Sequence, residues 1–302
     1  MSHYIKRRII IVNKNYIARL LTLGIIILSL TTTGCAQKKV AWGDLKTGLI
    51  LKYNLPQNEI ITYKVVSDTL QNLEVMGQSV NTTIKADISY GIKGTGVDDQ
   101  SDLTAQIIIN HLNLAINSMQ GSMNPDTSSL NGKSFGVTFS PEGKELKTTG
   151  TENLPKISLG QSGDRDANEL LADLLPVLPG TAIKTGESWT TPVDRNLHQG
   201  QITVAIKGEA TSVLEGTETI QGMECVKIKT VTKSAVQGSG SQMGQELNLK
   251  GDTTATATWY FAYKKGLFIK MTSDEVSDIK INVGTMEIPQ KTNAKTEVEL
   301  VL

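Results

Sequence analysis

From Asp44 onward apolar and polar positions alternate with a period of two. Ile84, Ala86, Ile88, Tyr90 and Ile92 alternate with Lys85, Asp87, Ser89 and Gly91, and Ile202, Val204 and Ile206 alternate with Thr203, Ala205 and Lys207. Trp259, Phe261 and Tyr263 share one parity, opposite Thr258, Tyr260 and Ala262. Ile279, Ile281 and Val283 alternate with Lys280 and Asn282, and Val298, Leu300 and Leu302 with Glu297 and Glu299. Side chains of successive strand residues point to opposite faces, so this pattern places one face on a core and the other in water. Parallel strands are buried on both faces, so one-sided alternation predicts antiparallel sheet. The abundance of Thr agrees, because β-branched side chains suit a pleated surface.

Turn residues separate the runs. Leu55-Pro56-Gln57-Asn58-Glu59 joins a strand expected near Ile50–Asn54 to one at Ile60–Ser67, and Ser140-Pro141-Glu142-Gly143 joins Phe135–Phe139 to Glu145–Thr148. Lys264-Lys265-Gly266 joins Trp259–Tyr263 to Leu267–Thr272, and Ile220-Gln221-Gly222-Met223 precedes Cys225–Val231. Pro and Gly stand where the chain must reverse, and the spacing implies about ten to thirteen strands. One run changes phase. Leu103, Ala105, Ile107 and Ile109 hold one parity and Leu112, Leu114 and Ile116 the other, which predicts either a bulge near Asn110-His111 or a strand apolar on both faces. His111 reads as a polar residue at that irregularity rather than a ligand.

A helix is expected over Asp166–Leu175, capped by Asp164, Asp166 or Asn168 and ended by Pro176, with Leu170, Leu171, Leu174 and Leu175 on one face. Residues 150–198 then read as a connector, and Gly238-Ser239-Gly240-Ser241 as a flexible loop. Met76-Gly77-Gln78 and Met243-Gly244-Gln245 form a faint echo between the two parts of the chain. The expected fold is all-β and mainly antiparallel: one large bent sheet or half-open barrel over 49–302 with one short helical connector. Two halves joined by 150–198 is the alternative within that domain.

The N-terminus is patterned differently. Lys6, Arg7, Arg8, Lys14 and Arg19 precede and enter an apolar run of 11 residues, Leu20–Leu30, and no acidic residue occurs before Asp44. A membrane-spanning helix needs about 20 apolar residues, whereas a signal-peptide core needs about 7–15. The run ends in Thr31-Thr32-Thr33-Gly34-Cys35, which resembles the lipobox of bacterial lipoproteins, with Thr32 where that family prefers Leu. The resemblance implies cleavage after Gly34, acylation of Cys35, and a lipidated tether over 35–48. An uncleaved anchor or an ordinary cleaved signal are the other readings of this segment. The Asp that resembles an inner-membrane retention signal is absent at Ala36-Gln37, and Lys38-Lys39 stands in place of an acidic surface-export run. By that resemblance the expected location is the periplasmic face of an outer membrane, with the cell surface as the alternative.

Composition narrows the function. The full chain of 302 residues carries 30 basic and 30 acidic side chains. Removal of 1–34 takes five basic and no acidic ones, leaving 25 against 30, a net of −5. That balance gives no electrostatic reason to bind nucleic acid, and attachment to a membrane then rests on the lipid. With two Cys and three His there is little for a disulfide framework, a metal site or a catalytic relay. Cys225, the cysteine left after Cys35, reads as a small buried apolar residue.

Gly186-Glu187-Ser188-Trp189, the run from Gly216 to Ile228, and Trp259-Tyr260-Phe261 followed by Lys265-Gly266-Leu267 resemble motifs of β-rich lipoproteins of unknown function of the Bacteroidetes type, over residues 46–302. Those families are similar in expected shape to the LolA/LolB-like half-barrels that carry acyl chains. The resemblance carries no catalytic residue, and a hydrophobic-ligand role only by analogy of shape.

Searches for chemistry along the chain end in structural readings. Gly160-Gln161-Ser162-Gly163-Asp164 lacks the fifth-position Gly of a nucleophile elbow. Asp164-Arg165-Asp166-Ala167-Asn168 starts like a calcium loop but has Glu169 and Leu175 where Gly and Glu are needed. Asp98-Asp99-Gln100-Ser101-Asp102 reads as a polar hairpin tip, Asp194 and His198 lack a nucleophile to serve, and Trp189 reads as a core residue opening a strand. No catalytic residue, metal or cofactor is assigned.

Two expectations of function follow. The first is a non-catalytic cell-envelope lipoprotein with a structural or protein-interaction role, held to the membrane through Cys35 and meeting an envelope protein. The second is a carrier or chaperone for a lipid or other apolar ligand in the concave face of the sheet, lined by Leu170, Leu171, Leu174 and Leu175. Ordinary core packing is the competing reading of those four leucines.

Overall fold

The computed structural model describes residues 43–119, 121–159, 164–199, 202–242 and 245–302. Its strands are β1 (Gly43–Asp44), β2 (Gly48–Leu49), β3 (Ile61–Val75), β4 (Gln78–Val97), β5 (Leu103–Ser118), β6 (Gly121–Met123), β7 (Ser134–Phe139), β8 (Glu145–Thr149), β9 (Ile157–Ser158), β10 (Asp164–Arg165), β11 (Ser188–Gln199), β12 (Ile202–Ile220), β13 (Met223–Gln242), β14 (Gln245–Ala262), β15 (Leu267–Val283) and β16 (Met286–Val301). Strand makes up 70% of the described residues and helical turn 4%, so the all-β expectation holds.

Twelve strands form one antiparallel sheet that does not close on itself, ordered β11-β12-β13-β14-β15-β16-β3-β4-β5-β7-β8, with β6 also on β5. The first long strand, β3, lies in the middle and pairs with the last, β16. From β3 the chain meanders to one edge at β8, crosses through residues 150–187 to the other edge at β11, and meanders back. Long-range pairing of β3 with β16 is what joins the two sequence halves into one sheet.

The bulge in β5 is present. Ser89 pairs with His111 and Tyr90 with Ile109, so Asn110 is the extra residue. It keeps Ala105, Ile107, Ile109, Leu112 and Leu114 all buried on one face. The expected turn at Gln221-Gly222 is a tight hairpin, and Met76-Gly77 forms another; both pairs adopt positive φ, as type I′ hairpin turns require. Gln242 pairs with Gln245, while Met243 and Gly244 lie outside the described residues. The Asp98 side chain accepts from the backbone N–H of Gln100 and Asp102, which makes 98–102 the expected polar tip.

Four local expectations are corrected. Asp166–Leu175 is not an α-helix: only Ala167–Leu171 makes a 3-10 turn, and Ala172 is already extended. Asp166 makes no side-chain cap and pairs instead with Lys156, while Asp164 lies in β10. The reason is tertiary, because the backbone N–H groups of Leu174 and Leu178 are bonded to Glu145 and Glu142. Ile50–Asn54 is no sheet strand; it is an extended segment whose bonds go singly to Pro141 and Gly266. Gly238–Ser241 is not a loop but part of the β13–β14 ladder. The connector ends before Ser188, since 188–199 is the edge strand β11.

The core lies on the concave side, over one half of the strand length. Segment 49–53 and the connector lie over that half, and Leu49, Leu51, Tyr53, Ile157, Leu171, Leu174, Leu175, Leu178 and Ile183 are buried together with Tyr63, Tyr90, Phe139, Trp259 and Phe261 in one cluster. The backbone there is close-packed: a Cβ on Gly143, at φ +91°, would fall on the Tyr53 ring.

Candidate functional site

The other half of the strands continues beyond this core with a different set of inward-facing side chains. Following the ladders, its inward-facing positions fall in rows. Nearest the core runs Ser212, Thr230, Ala257, Ser273, Thr296 and Ser67. The next is Ala210, Thr232, Ala255, Glu275, Ala294 and Thr69, and the third Gly208, Ser234, Thr253, Ser277, Thr292 and Gln71. Beyond this hydroxyl belt comes a mixed row of Arg195, Ile206, Val236, Ile279 and Gln290, then apolar rows with Leu249, Ile281 and Ile288, and with Leu247 and Val283. Val236 and Leu247 are buried yet lie outside the main core cluster, so the concave face carries two apolar zones separated by a polar one.

The belt is internally bonded. Ser212 and Thr230 lie 2.8 Å apart, Thr253 and Ser277 2.6 Å, and Ser67 and Thr296 3.1 Å, and the Trp259 indole N–H donates to Thr230 at 2.9 Å. Glu275 is the one charged residue in these three rows. Its strand neighbours are the small residues Ala255 and Ala294. Burial pushes the Glu275 carboxyl up, opposed by the charge of Arg195 and a hydrogen bond from Ser277.

At the boundary between core and belt the two sheet edges are tied together through the connector. The Leu174 N–H donates to Glu145 Oε1 on β8 at 3.1 Å, and Leu178 N–H donates to the Glu142 carbonyl at 2.8 Å. On the other side Trp189 Nε1 on β11 donates to the Val177 carbonyl at 3.2 Å, and Arg195 pairs with Asp173 at 3.0 Å. Tyr53 donates to the Pro176 carbonyl at 2.7 Å and Tyr90 to that of Leu174 at 3.4 Å. The segment 173–178 therefore satisfies its polar backbone with side chains from several strands, as a buried non-ladder segment must. Burial raises the Glu145 carboxyl, against the opposing Leu174 hydrogen bond. Burial likewise pushes the Tyr53, Tyr63 and Tyr90 phenols up.

The convex face is built for water. Asp68 stands directly opposite Lys85, Asp194 opposite Lys207 and Asp274 opposite Lys295, each as an ion pair within 4 Å. Such charges at mid-strand would be costly against hydrocarbon. Two shallow depressions on this face, one beside Glu209 and Lys233 and one beside Lys64 and Glu297, are lined by these outward side chains.

The residues singled out from sequence are dispersed. Leu171, Leu174 and Leu175 are buried at 3–6% exposure and Leu170 packs against them from the half-buried layer. All four belong to the connector's core contacts. Cys35 and Gly160-Gln161-Ser162-Gly163 lie outside the described residues. Cys225 is buried and its thiol is pushed up by burial, so it is held as the thiol. Trp189 is the second residue of β11 and meets Trp259 edge-on at 6.3 Å. Among the described residues no group of three or more His, Cys, Asp or Glu is arranged to hold a metal. Sequence reasoning missed Glu275 and the hydroxyl belt. The available signal was parity: Glu275 shares the inward register of Met271, Ser273, Ser277 and Ile279.

No family model matches the chain, and no curated protein matches it. Among solved structures it is similar to the Pseudomonas aeruginosa protein OccK5 (OpdH), at 7% identity and TM-score 0.23, over 82% of this chain and 100% of that one. Acinetobacter baumannii OccAB4 matches at 6% identity and TM-score 0.21, over 81% and 99%. A DUF1329 family protein from Desulfovibrio piger matches at 13% identity and TM-score 0.13, over 76% and 83%. TM-scores this low describe poor superpositions.

Proposed function

We propose that the chain is a non-catalytic cell-envelope lipoprotein, held to a membrane through acylated Cys35, that presents its sheet to another envelope molecule. The observation that supports this best is the division of the concave face. Half is covered by the chain's own connector, including the leucines that could have lined a ligand cavity, while the other half of the twelve-stranded sheet carries a belt of Ser and Thr followed by more apolar rows. The acyl anchor follows from the N-terminal sequence, where each buried CH₂ contributes about 0.8 kcal/mol and several chains hold stably. Labelling of intact cells with a palmitate analogue is expected to mark the protein expressed from its complete sequence and to be abolished by Cys35→Ala. Persistence of the label in that variant, or recovery of wild type in the soluble fraction, overturns the anchor. Crosslinking in intact cells through the rim of the sheet is expected to capture a partner that the soluble domain also binds when purified.

One observation favours a second reading, that of a carrier for an apolar ligand. The distal apolar rows around Leu247, Leu249 and Ile281 share the face of the core but lie outside its cluster.

A further inference from the structure

We infer that the start of the connector segment 173–178 is a charge-operated clasp. Arg195 exchanges partners between Asp173, which fastens edge strand β11 to the segment, and Glu275 on β15, which releases it. The clasp is closed in acid and loosened toward neutral pH. This goes beyond the anchoring role proposed above and does not depend on it.

The arrangement of charges carries the inference. Three carboxylates from separate elements, Glu145 of β8, Asp173 of the connector and Glu275 of β15, share one guanidinium, Arg195 of β11. Arg195 meets Asp173 at 3.0 Å, and its charge also acts on Glu145 and on Glu275. Among the described residues the further titratable group facing this cluster is Tyr90 of β4, beside Glu145, and burial keeps its phenol protonated. One cation cannot neutralise three anions, so the carboxylates compete for it. The closed pair is weakly held, because the side chains of Arg195 and Asp173 are 36% and 62% exposed and water screens them. Glu275 is half-buried, and among the described residues it has no ion pair of its own, which makes it the natural second partner.

The backbone at this point is strained in the closed arrangement. Asp173 sits at φ +52°, in the left-handed region that residues with a Cβ seldom occupy. Its own N–H and that of Leu174 both bond to the Glu145 carboxylate, which repels the Asp173 side chain. Losing Arg195 therefore leaves Asp173 strained and beside a like charge. Leu178, further along the same segment, is bonded through its N–H to the Glu142 carbonyl at 2.8 Å, a bond that involves no ionisable group. It marks the fixed end of the segment.

The direction of the pH response follows from the same contacts. In the closed clasp burial raises the carboxyls of Glu145 and Glu275 above their ordinary value of 4.5. Loosening gives Glu145 to water and Glu275 to Arg195, and each change favours the charged form. The closed clasp thus binds protons more tightly. Its advantage is fully present below the ordinary value and is lost as pH rises through the raised ones.

The test is hydrogen exchange of the Leu174 and Leu178 amides in the folded protein at pH 4 and pH 7, each corrected for its intrinsic rate. Protection of Leu174 relative to Leu178 is expected to fall about fivefold or more between the two. Glu275→Gln keeps the shape and removes the competing charge. It is expected to raise Leu174 protection about threefold or more at pH 7 and to leave it unchanged at pH 4. In an Arg195→Gln background the same substitution is expected to do nothing, because no cation remains to be exchanged. A ratio of Leu174 to Leu178 protection that is the same at both pH values overturns the inference on the wild-type protein alone. So does an effect of Glu275→Gln that persists without Arg195.

Discussion

The indole N–H of Trp189, at the start of edge strand β11, donates to the carbonyl oxygen of Val177 in the connector at 3.2 Å. Through it one free edge of the sheet is fastened to the same six-residue segment that Glu145 holds from the opposite edge. Trp189→Phe keeps an aromatic body against Trp259 but leaves the Val177 carbonyl without its donor. A loss of about 1–3 kcal/mol is expected, toward the low end because the site is half-exposed. Urea unfolding reads it, and an unchanged midpoint would show that the tie contributes nothing.

The connector leucines are core. Leu171→Ala and Leu174→Ala should each cost about 2–5 kcal/mol, the range for truncating a buried leucine. Ile281→Ala, in the half-exposed distal rows, should cost less than either. Equal losses in all three would mean that the distal rows are packed as tightly as the core, and would remove the distinction between the two halves.

Burial holds the Glu145 carboxyl above its ordinary value of 4.5 in the folded protein. The folded state therefore binds the proton more tightly than the unfolded state. The stabilisation this gives is fully present below the ordinary value and is lost as pH rises through the raised one. Glu145→Gln retains a carbonyl oxygen for the Leu174 N–H and has no charge to desolvate. Relative to wild type it should gain stability between pH 4 and pH 7, with the difference largest at neutral pH. Parallel unfolding curves at the two pH values check it; a gain confined to acid pH would reverse the sign and defeat the argument.

The β5 bulge makes a prediction by deletion. Removing Asn110 leaves Ile109 opposite Tyr90 and His111 opposite Ser89 as consecutive ladder steps, with Leu112 and Leu114 still inward. Removing Asn113 instead turns Leu114 and Ile116 outward, because a one-residue slip exchanges faces. The Asn110 deletion should keep the far-UV spectrum and the larger part of the stability, and the Asn113 deletion should not. The reverse ranking would place the extra residue elsewhere.

Much of the sheet was legible because its information is local. Period-two runs such as Ile84–Ile92 and turns such as Gln221-Gly222 act over a few residues, and the phase change at Asn110 marks the bulge directly. The expected helix failed at the point where local preference met tertiary demand. Leu170, Leu171, Leu174 and Leu175 suit a helical face, but Glu145 and Glu142 take the backbone donors of Leu174 and Leu178 and hold the segment extended. Gly238–Ser241 read as a loop by composition, yet β14 supplies its ladder partners, and glycine there admits the Leu249 side chain of the next strand. Glu275 was hidden for a related reason. A single acidic residue in an alternating run looks solvated until the sheet curls and sets its parity inward.

By itself the sequence determined that the body is antiparallel β, where its hairpins turn, which face of each strand is apolar, and the lipobox-like pattern that ends in Cys35. Only the tertiary structure decided that β16 returns to β3 to make one sheet, that the connector covers half of the concave face, and that hydroxyls from six strands form a belt on the same face as Glu275. The first depends on contacts more than two hundred positions apart, and the others on contacts between separate strands and segments. Such contacts leave no periodic trace along the chain, because strand pairing is set by which faces must be buried together rather than by neighbouring residues.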